Sequence, residues 1–268
     1  VIAKLSNLLS ESTLSANLSY FDYECVLGRQ ALVPWLRQSI DLAGLRVADF
    51  GCHQGGILQV LREDCAIASG VGFDLNRQAI ATSPLQPDPN FYLKEQDILT
   101  LNPQDYSFDL VLFRDSLEHI PPYFEALAKA QACLPSGGYI FVSFPPYYSP
   151  FGGHQQLATN WPKLFPYAHY LPEGLFLKLL NCQDNTYMSR AEAIEDLQGI
   201  RQTRLTLGKL EKAARRLGLT LAARDLYLLR PAFKVRYGLP IMKAGVLGQI
   251  PLAREVVVMG AYYLWRKP

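Results

Sequence analysis

The stretch VADFGCHQGGIL, residues 47–58, decides the fold. A short apolar run reads as a buried strand and ends on an acid. A glycine turn follows, and an amphipathic pattern, GGILQVLRED (55–64), starts a helix. Glycines let the backbone approach a ligand closely, and the start of a helix offers free N–H groups. Working outward, the same rhythm continues. ASGVGFD (68–74) reads as a strand and NRQAIATS (76–83) as a helix stopped by Pro84. NFYLKEQD (90–97) and FDLVLF (108–113) are further strands. PYFEALAKAQACL (122–134) is a helix, and YIFVSF (139–144) is a fifth strand. Strands alternating with helices imply right-handed crossovers and a mostly parallel sheet covered on both faces.

Three acids stand at the ends of three successive strands: Asp49, Asp74 and Asp97. Strand ends on the carboxyl edge of an open α/β sheet are where such sheets bind ligands. An acid at position 74 can accept hydrogen bonds from ribose hydroxyls, and a carboxylate at Asp97 can accept from an exocyclic adenine amine. The dinucleotide pattern G-x-G-x-x-G is broken, because its three glycine positions hold Gly51, His53 and Gly56. Asp49 points away from a pyrophosphate ligand, which it repels, and towards a ligand carrying an amino group.

With these segments in order, followed by FDLVLFRDSLEHI and LPSGGYIFVSFP, the chain resembles the class I S-adenosylmethionine-dependent methyltransferases over residues 46–144. The resemblance implies an α/β, Rossmann-like doubly wound sheet of seven strands with the last antiparallel. The runs 219–230 and 255–265 would be its closing hairpin, separated by a long excursion. It implies S-adenosyl-L-methionine as cofactor, with Asp49 and Gly51 at the methionine end and Cys52 and Gly55 in the same loop. Asp74 holds the ribose, Leu75 packs on the adenine, Asp97 and Ile98 hold the adenine edge, and Arg114 contacts the ligand through its backbone. His53 departs from the family's usual glycine. Residues 1–45 are expected as an N-terminal helical cap, 145–204 as a substrate lid, and 205–268 as a closing helix and hairpin.

Methyl transfer needs an aligned nucleophile, and a base where that nucleophile is a hydroxyl. His154, after two glycines beyond the fifth strand, and His169 are the candidate catalytic histidines. Asp115, Glu118 and His119 fall at i, i+3 and i+4, one face of a helical turn. That spacing is similar to an acid-x-x-Glu-His element at a metal site of the ubiquinone-pathway O-methyltransferases. Helix packing without metal is the expectation here, because metal-free members also carry the Glu-His pair. From Tyr139 to Pro172 the only charged residue is Lys163. The aromatic side chains there, Tyr147, Tyr148, Phe151, Trp161 and Tyr170 among them, are expected to bind a small, aromatic or lipophilic acceptor. The basic residues of 201–216 read as a solvated helix face.

Composition excludes several classes. Hydrophobic residues are 49% and charged residues 19%, which is ordinary for a globular chain and rules out disorder. A net charge of +2 does not mark a nucleic-acid binder. Apolar runs near ten residues are too short for a membrane span. Five unevenly spaced cysteines without a C-x-x-C, and a start unlike a signal peptide, are what a cytoplasmic protein is expected to have. The expected function is O-methylation of a small molecule. RNA or protein methylation, or non-catalytic binding on the same fold, are the alternatives.

Overall fold

The computed structural model describes residues 18–158, 160–180, 182 and 190–268; the side chains of Gln156, Trp161 and Pro162 lie outside that description. Five parallel strands form the first half of one sheet: β1 (Arg46–Phe50), β2 (Ser69–Asp74), β3 (Phe91–Glu95), β4 (Leu110–Arg114) and β5 (Tyr139–Phe144). Beyond β5 come β6 (Thr220–Leu229), β7 (Met242–Lys243) and β8 (Gly260–Arg266), in the spatial order β3-β2-β1-β4-β5-β8-β6-β7. β8 runs antiparallel to both β5 and β6, as the closing hairpin requires. The sheet therefore has eight strands and not seven, because the two-residue β7 adds to the open edge of β6.

Alternation along the strands divides the core in two. Ala48, Phe50, Val111 and Phe113 face one cluster, and Val47, Leu110 and Leu112 face the other. The second face is covered by α1 (Tyr20–Leu27), α2 (Val33–Leu36) and α3 (Gly56–Cys65). Ser19 caps α1 by accepting the Asp22 N–H at 3.1 Å. The first face is covered by α5 (Tyr123–Ala132) and α8 (Leu207–Arg216), with α4 (Arg77–Ala81) lying between β2 and β3 in sequence. Thr206 caps α8, whose Leu207, Leu210, Ala213 and Ala214 are buried at helical spacing.

Two expectations are corrected. The run EVVV (255–258) is not strand: α10 (Pro251–Val257) precedes β8, opened by Pro251 in the first turn. Glu255 on α10 accepts the backbone N–H groups of Leu207 and Gly208, so this helix satisfies the free start of α8. The basic residues of 201–216 do not share one helix face: they are divided between α7 (Arg190–Thr203) and α8, with a break where Arg204 turns to φ +41. α6 (Glu173–Leu179) falls within the segment 145–204, and α9 (Pro231–Tyr237) within the β6–β8 excursion.

Candidate functional site

The carboxyl ends of β1, β2 and β4 converge at the middle of the sheet, where the strand order reverses. Asp49 is buried, and its Oδ1 has no hydrogen-bond partner among the described residues. Burial, then the nearby Glu24 carboxylate, push its carboxyl up to about 8 against the pull of Arg114. Gly51 follows at φ +84, where a β-carbon would fall 2.5 Å from Ser116 Cβ. His53 takes the left-handed backbone at φ +48 despite its side chain. Its N–H donates to Asp74 Oδ2 at 2.6 Å and its ring lies against Tyr20, centroids 4.4 Å apart. The missing glycine is thus accommodated by ties at both ends of the residue.

Asp74 Oδ1 also accepts the Asn76 N–H at 2.8 Å. Each carboxylate oxygen keeps a further lone pair for a ligand hydroxyl. Leu75 beside it is 70% exposed, an apolar side chain open on the ligand edge. Asp97 caps the turn Ile98–Thr100 by accepting the Leu99 N–H at 2.9 Å, and Ile98 is buried. Gly55 opens α3 in the left-handed region. Cys52 is buried, and burial raises its thiol pKa further, so it fills space and is not reactive.

Arg114 ends β4, and its side chain has a role that the sequence did not assign. The guanidinium is buried, donating to Tyr20 Oη at 2.9 Å and to the Glu24 carboxylate. Asp115, at φ +51, turns out of the anticipated helical face. It pairs with Arg230 and accepts the Ser143 hydroxyl at 3.0 Å. Although burial works to raise it, Arg230 and Arg114 bring its carboxyl down to about 2. The segment Leu117–His119 is one tight turn, not an α-helix, so the i, i+3, i+4 geometry does not form.

A different trio assembles instead. Glu118, His119 and His154 bring one ligand atom each within 4.8 Å of one another. Glu118 Oε1 lies 3.8 Å from His119 Nε2 and 3.9 Å from His154 Nε2. Both Glu118 oxygens are buried without a hydrogen-bond partner among the described residues, and burial pushes its carboxyl up to about 8. His119 Nδ1 sits 2.7 Å from Asp196 Oδ1 on α7. Burial alone would lower that imidazole, but Asp196 lifts it to about 9, so the pair is ionic. His154 is driven down to about 3 by burial and by the His119 charge, and stays neutral. It too holds a left-handed backbone, φ +54. Strain in residues other than glycine at His53, Asp115 and His154 gathers on this one edge.

Above the edge, the aromatic segment folds over itself. Tyr147 is buried, and its ring meets Tyr148 at 5.2 Å and His169 at 5.1 Å. Tyr148 and Tyr170 are more open, with rings 6.0 Å apart and Tyr170 Oη donating to the Tyr148 carbonyl at 2.6 Å. Phe151 is half-buried in the turn before His154. Trp161 opens a short turn, and its side chain lies outside the described ones. His169 is fully buried, with Nε2 2.7 Å from the Tyr147 carbonyl, so its ring ties the segment together. Arg201 is likewise no solvated residue: it is buried and donates to the carbonyls of His169 and Leu171 at 2.7 and 3.0 Å. The five cysteines are free and buried, and among the described residues no helix is long and apolar enough to cross a membrane.

The donor set at the carboxyl ends of β1 and β2 suits an adenosyl amino acid: a buried carboxylate with one unpartnered oxygen, an acid with lone pairs left for hydroxyls and open apolar surface beside it. Comparison with known proteins agrees. Over 100 residues the chain is 30% identical to a trans-aconitate 2-methyltransferase of Variovorax paradoxus, covering 37% of this chain and 38% of that protein. Over 110 residues it is 29% identical to a ubiquinone biosynthesis O-methyltransferase of Coxiella burnetii, covering 41% and 47%. The chain spans less than half the length of both relatives. An S-adenosylmethionine-dependent methyltransferase structure from Mesorhizobium loti superposes with a TM-score of 0.54 at 17% identity, covering 90% of this chain and 99% of the other, which shows a shared fold. A family model described as a methyltransferase domain matches residues 18–180. The chain therefore belongs to the methyltransferase-domain family, with the class I S-adenosylmethionine-dependent fold.

Proposed function

We propose that this protein transfers a methyl group from S-adenosylmethionine to a hydroxyl of a small, aromatic or lipophilic acceptor. The observation that carries the reading is His154 Nε2 at 3.9 Å from the buried, unpartnered Glu118 carboxylate, at the same sheet edge as Asp49 and Asp74. The bound donor supplies a methyl on a sulfonium, which needs no further activation. Asp49 holds the ammonium end, Asp74 and Leu75 the ribose and adenine, and Asp97 with Ile98 the adenine edge. His154 is neutral, partly open and set before a buried carboxylate. It takes the hydroxyl proton; the neighbouring His119 charge opposes the imidazolium that forms, and Glu118 behind it stabilises that imidazolium when ionised. Tyr148, Tyr170 and Phe151 offer apolar contact to the acceptor, and Trp161 lies in the same segment. The charge-poor segment disfavours an RNA acceptor, which needs basic residues there.

The same trio could hold a divalent ion. Its nitrogen–oxygen separations of 3.8 and 3.9 Å are wider than the roughly 3.3 Å between neighbours on a metal with bonds of about 2.0–2.1 Å. Asp196 holds the other ring nitrogen of His119, Nδ1, and favours the charged ring, so an ion would first have to displace the Nε2 proton. Turnover is therefore expected to survive EDTA; loss restored by magnesium or zinc would make the trio a metal site. Labelled methyl transfer to a panel of hydroxylated aromatics, run beside total RNA, tests the acceptor class. Label entering RNA alone would contradict it.

Donor placement has its own test. Asp74→Ala removes the ribose acceptor and one tie of the glycine loop together, each a charge-assisted bond. Donor affinity is expected to fall by tens of fold, about 2–3 kcal/mol, with the fold retained. Calorimetry with S-adenosylhomocysteine reads this, and unchanged affinity would move the ribose elsewhere.

A further inference from the structure

We propose that Glu24 of α1 receives, together with Asp49 of β1, the ammonium group of the donor's methionine moiety, which makes the N-terminal helix part of the donor site. This rests on the reading of the donor as S-adenosylmethionine.

Three charged side chains are enclosed together: Glu24 at 1% exposure, Asp49 at 2% and Arg114 at 7%. Two are acids and one is a base, so with both acids ionised the group holds one uncompensated negative charge. Such a charge away from water is costly unless something pairs with it. The hydrogen bonds show where the deficit lies. Arg114 satisfies Glu24 Oε1 but leaves Oε2 without a partner among the described residues, and Asp49 Oδ1 is in the same condition. The two carboxylates are close enough for each other's field to matter: Glu24 is the leading charged influence that raises Asp49. The nearby Asp74 already accepts two backbone N–H groups. A primary ammonium, with one positive charge and several donors, is the chemistry that satisfies both open oxygens.

The helix is built to deliver Glu24 there. A β-carbon on Gly56 would lie 2.7 Å from both Glu24 Cβ and the Phe21 carbonyl, so only glycine lets α1 rest directly on the start of α3. Tyr20, one turn before Glu24, meets both the His53 ring and Arg114. Arg236 of α9 lies over the Tyr23 ring at 4.6 Å and holds the helix from outside.

The test compares two ligands, S-adenosylhomocysteine and its deaminated analogue, which keeps the carboxylate but lacks the ammonium. Wild-type protein is expected to prefer the first by about 100-fold, the effect of two charge-assisted contacts. In Glu24→Gln that preference shrinks by about tenfold, because homocysteine-ligand affinity falls while analogue affinity does not. Glu24→Asp keeps the charge that Arg114 requires and draws the carboxylate back by one methylene, so it covers the case in which the glutamine variant fails to fold. The preference is expected to shrink there as well. Equal weakening of both ligands, or an unchanged preference in whichever variant folds, would return Glu24 to holding Arg114 alone. A wild-type protein that binds neither ligand would instead remove the donor reading itself.

Discussion

His154→Ala lowers the single-turnover rate of methyl transfer by about 10²–10⁴-fold, the range that a positioned general base contributes. Donor affinity is expected to stay within about twofold, because no donor-holding residue touches the ring; that bound rests on non-contacting sites adding independently. The pH profile carries the mechanism. Burial pushes the Glu118 carboxyl up to about 8, so it is mostly neutral at pH 7 and ionised above pH 9. An ionised Glu118 stabilises the imidazolium that forms as the proton moves, so the rate rises with pH through about 8 and levels above about 9. Glu118→Gln removes that rise. A His154→Ala variant with the wild-type rate and profile would leave alignment alone as the source of catalysis.

Asp49→Asn has the second large effect, and it acts in opposite directions on binding and stability. Losing the charged contact to the ammonium group lowers donor affinity by about 10–100-fold. For stability, the carboxyl sits at about 8 in the folded chain against 3.8 ordinarily. The folded state therefore keeps a proton that the unfolded chain releases, and stability from this group declines as pH rises from about 4 to about 8. Asparagine has no charge to bury. The variant is expected to melt above wild type at pH 8, while the two converge at pH 4. A variant less stable at pH 8 would mean that Asp49 is ionised and already paired in the free protein.

The parallel half of the fold was legible because each apolar run is short, bounded by turn residues and followed by a 3.6-residue pattern. The three edge acids were legible for the same reason: they sit at fixed places relative to strands. What failed was set by distant partners. The EVVV segment has strand composition, yet Pro251 and the demand of the α8 start for an acceptor make it helix. Asp115 looked like a neighbour of Glu118 and His119, but Arg230, 115 residues along the chain, turns it away. His154 and Asp196 then join the pair from two other segments, which no local spacing encodes. Arg201 shares the helical periodicity of exposed basic residues, and only the packing of 169–171 against α7 shows that it is an internal donor. Glu24 carries no local mark at all, since its partner is 90 residues away.

The most direct measurement of the account is calorimetric titration of S-adenosylhomocysteine into the wild-type protein near pH 7, in buffers of different ionisation enthalpy. Glu24, Arg114, Asp74 and the Cys52 thiol surround Asp49, and burial together with Glu24 keeps its carboxyl protonated at that pH. An arriving ammonium must ionise it. The account predicts one saturable site, release of about one proton per ligand, and affinity that climbs with pH until about 8. No saturable binding, or binding without proton release at any pH from 6 to 9, would contradict it.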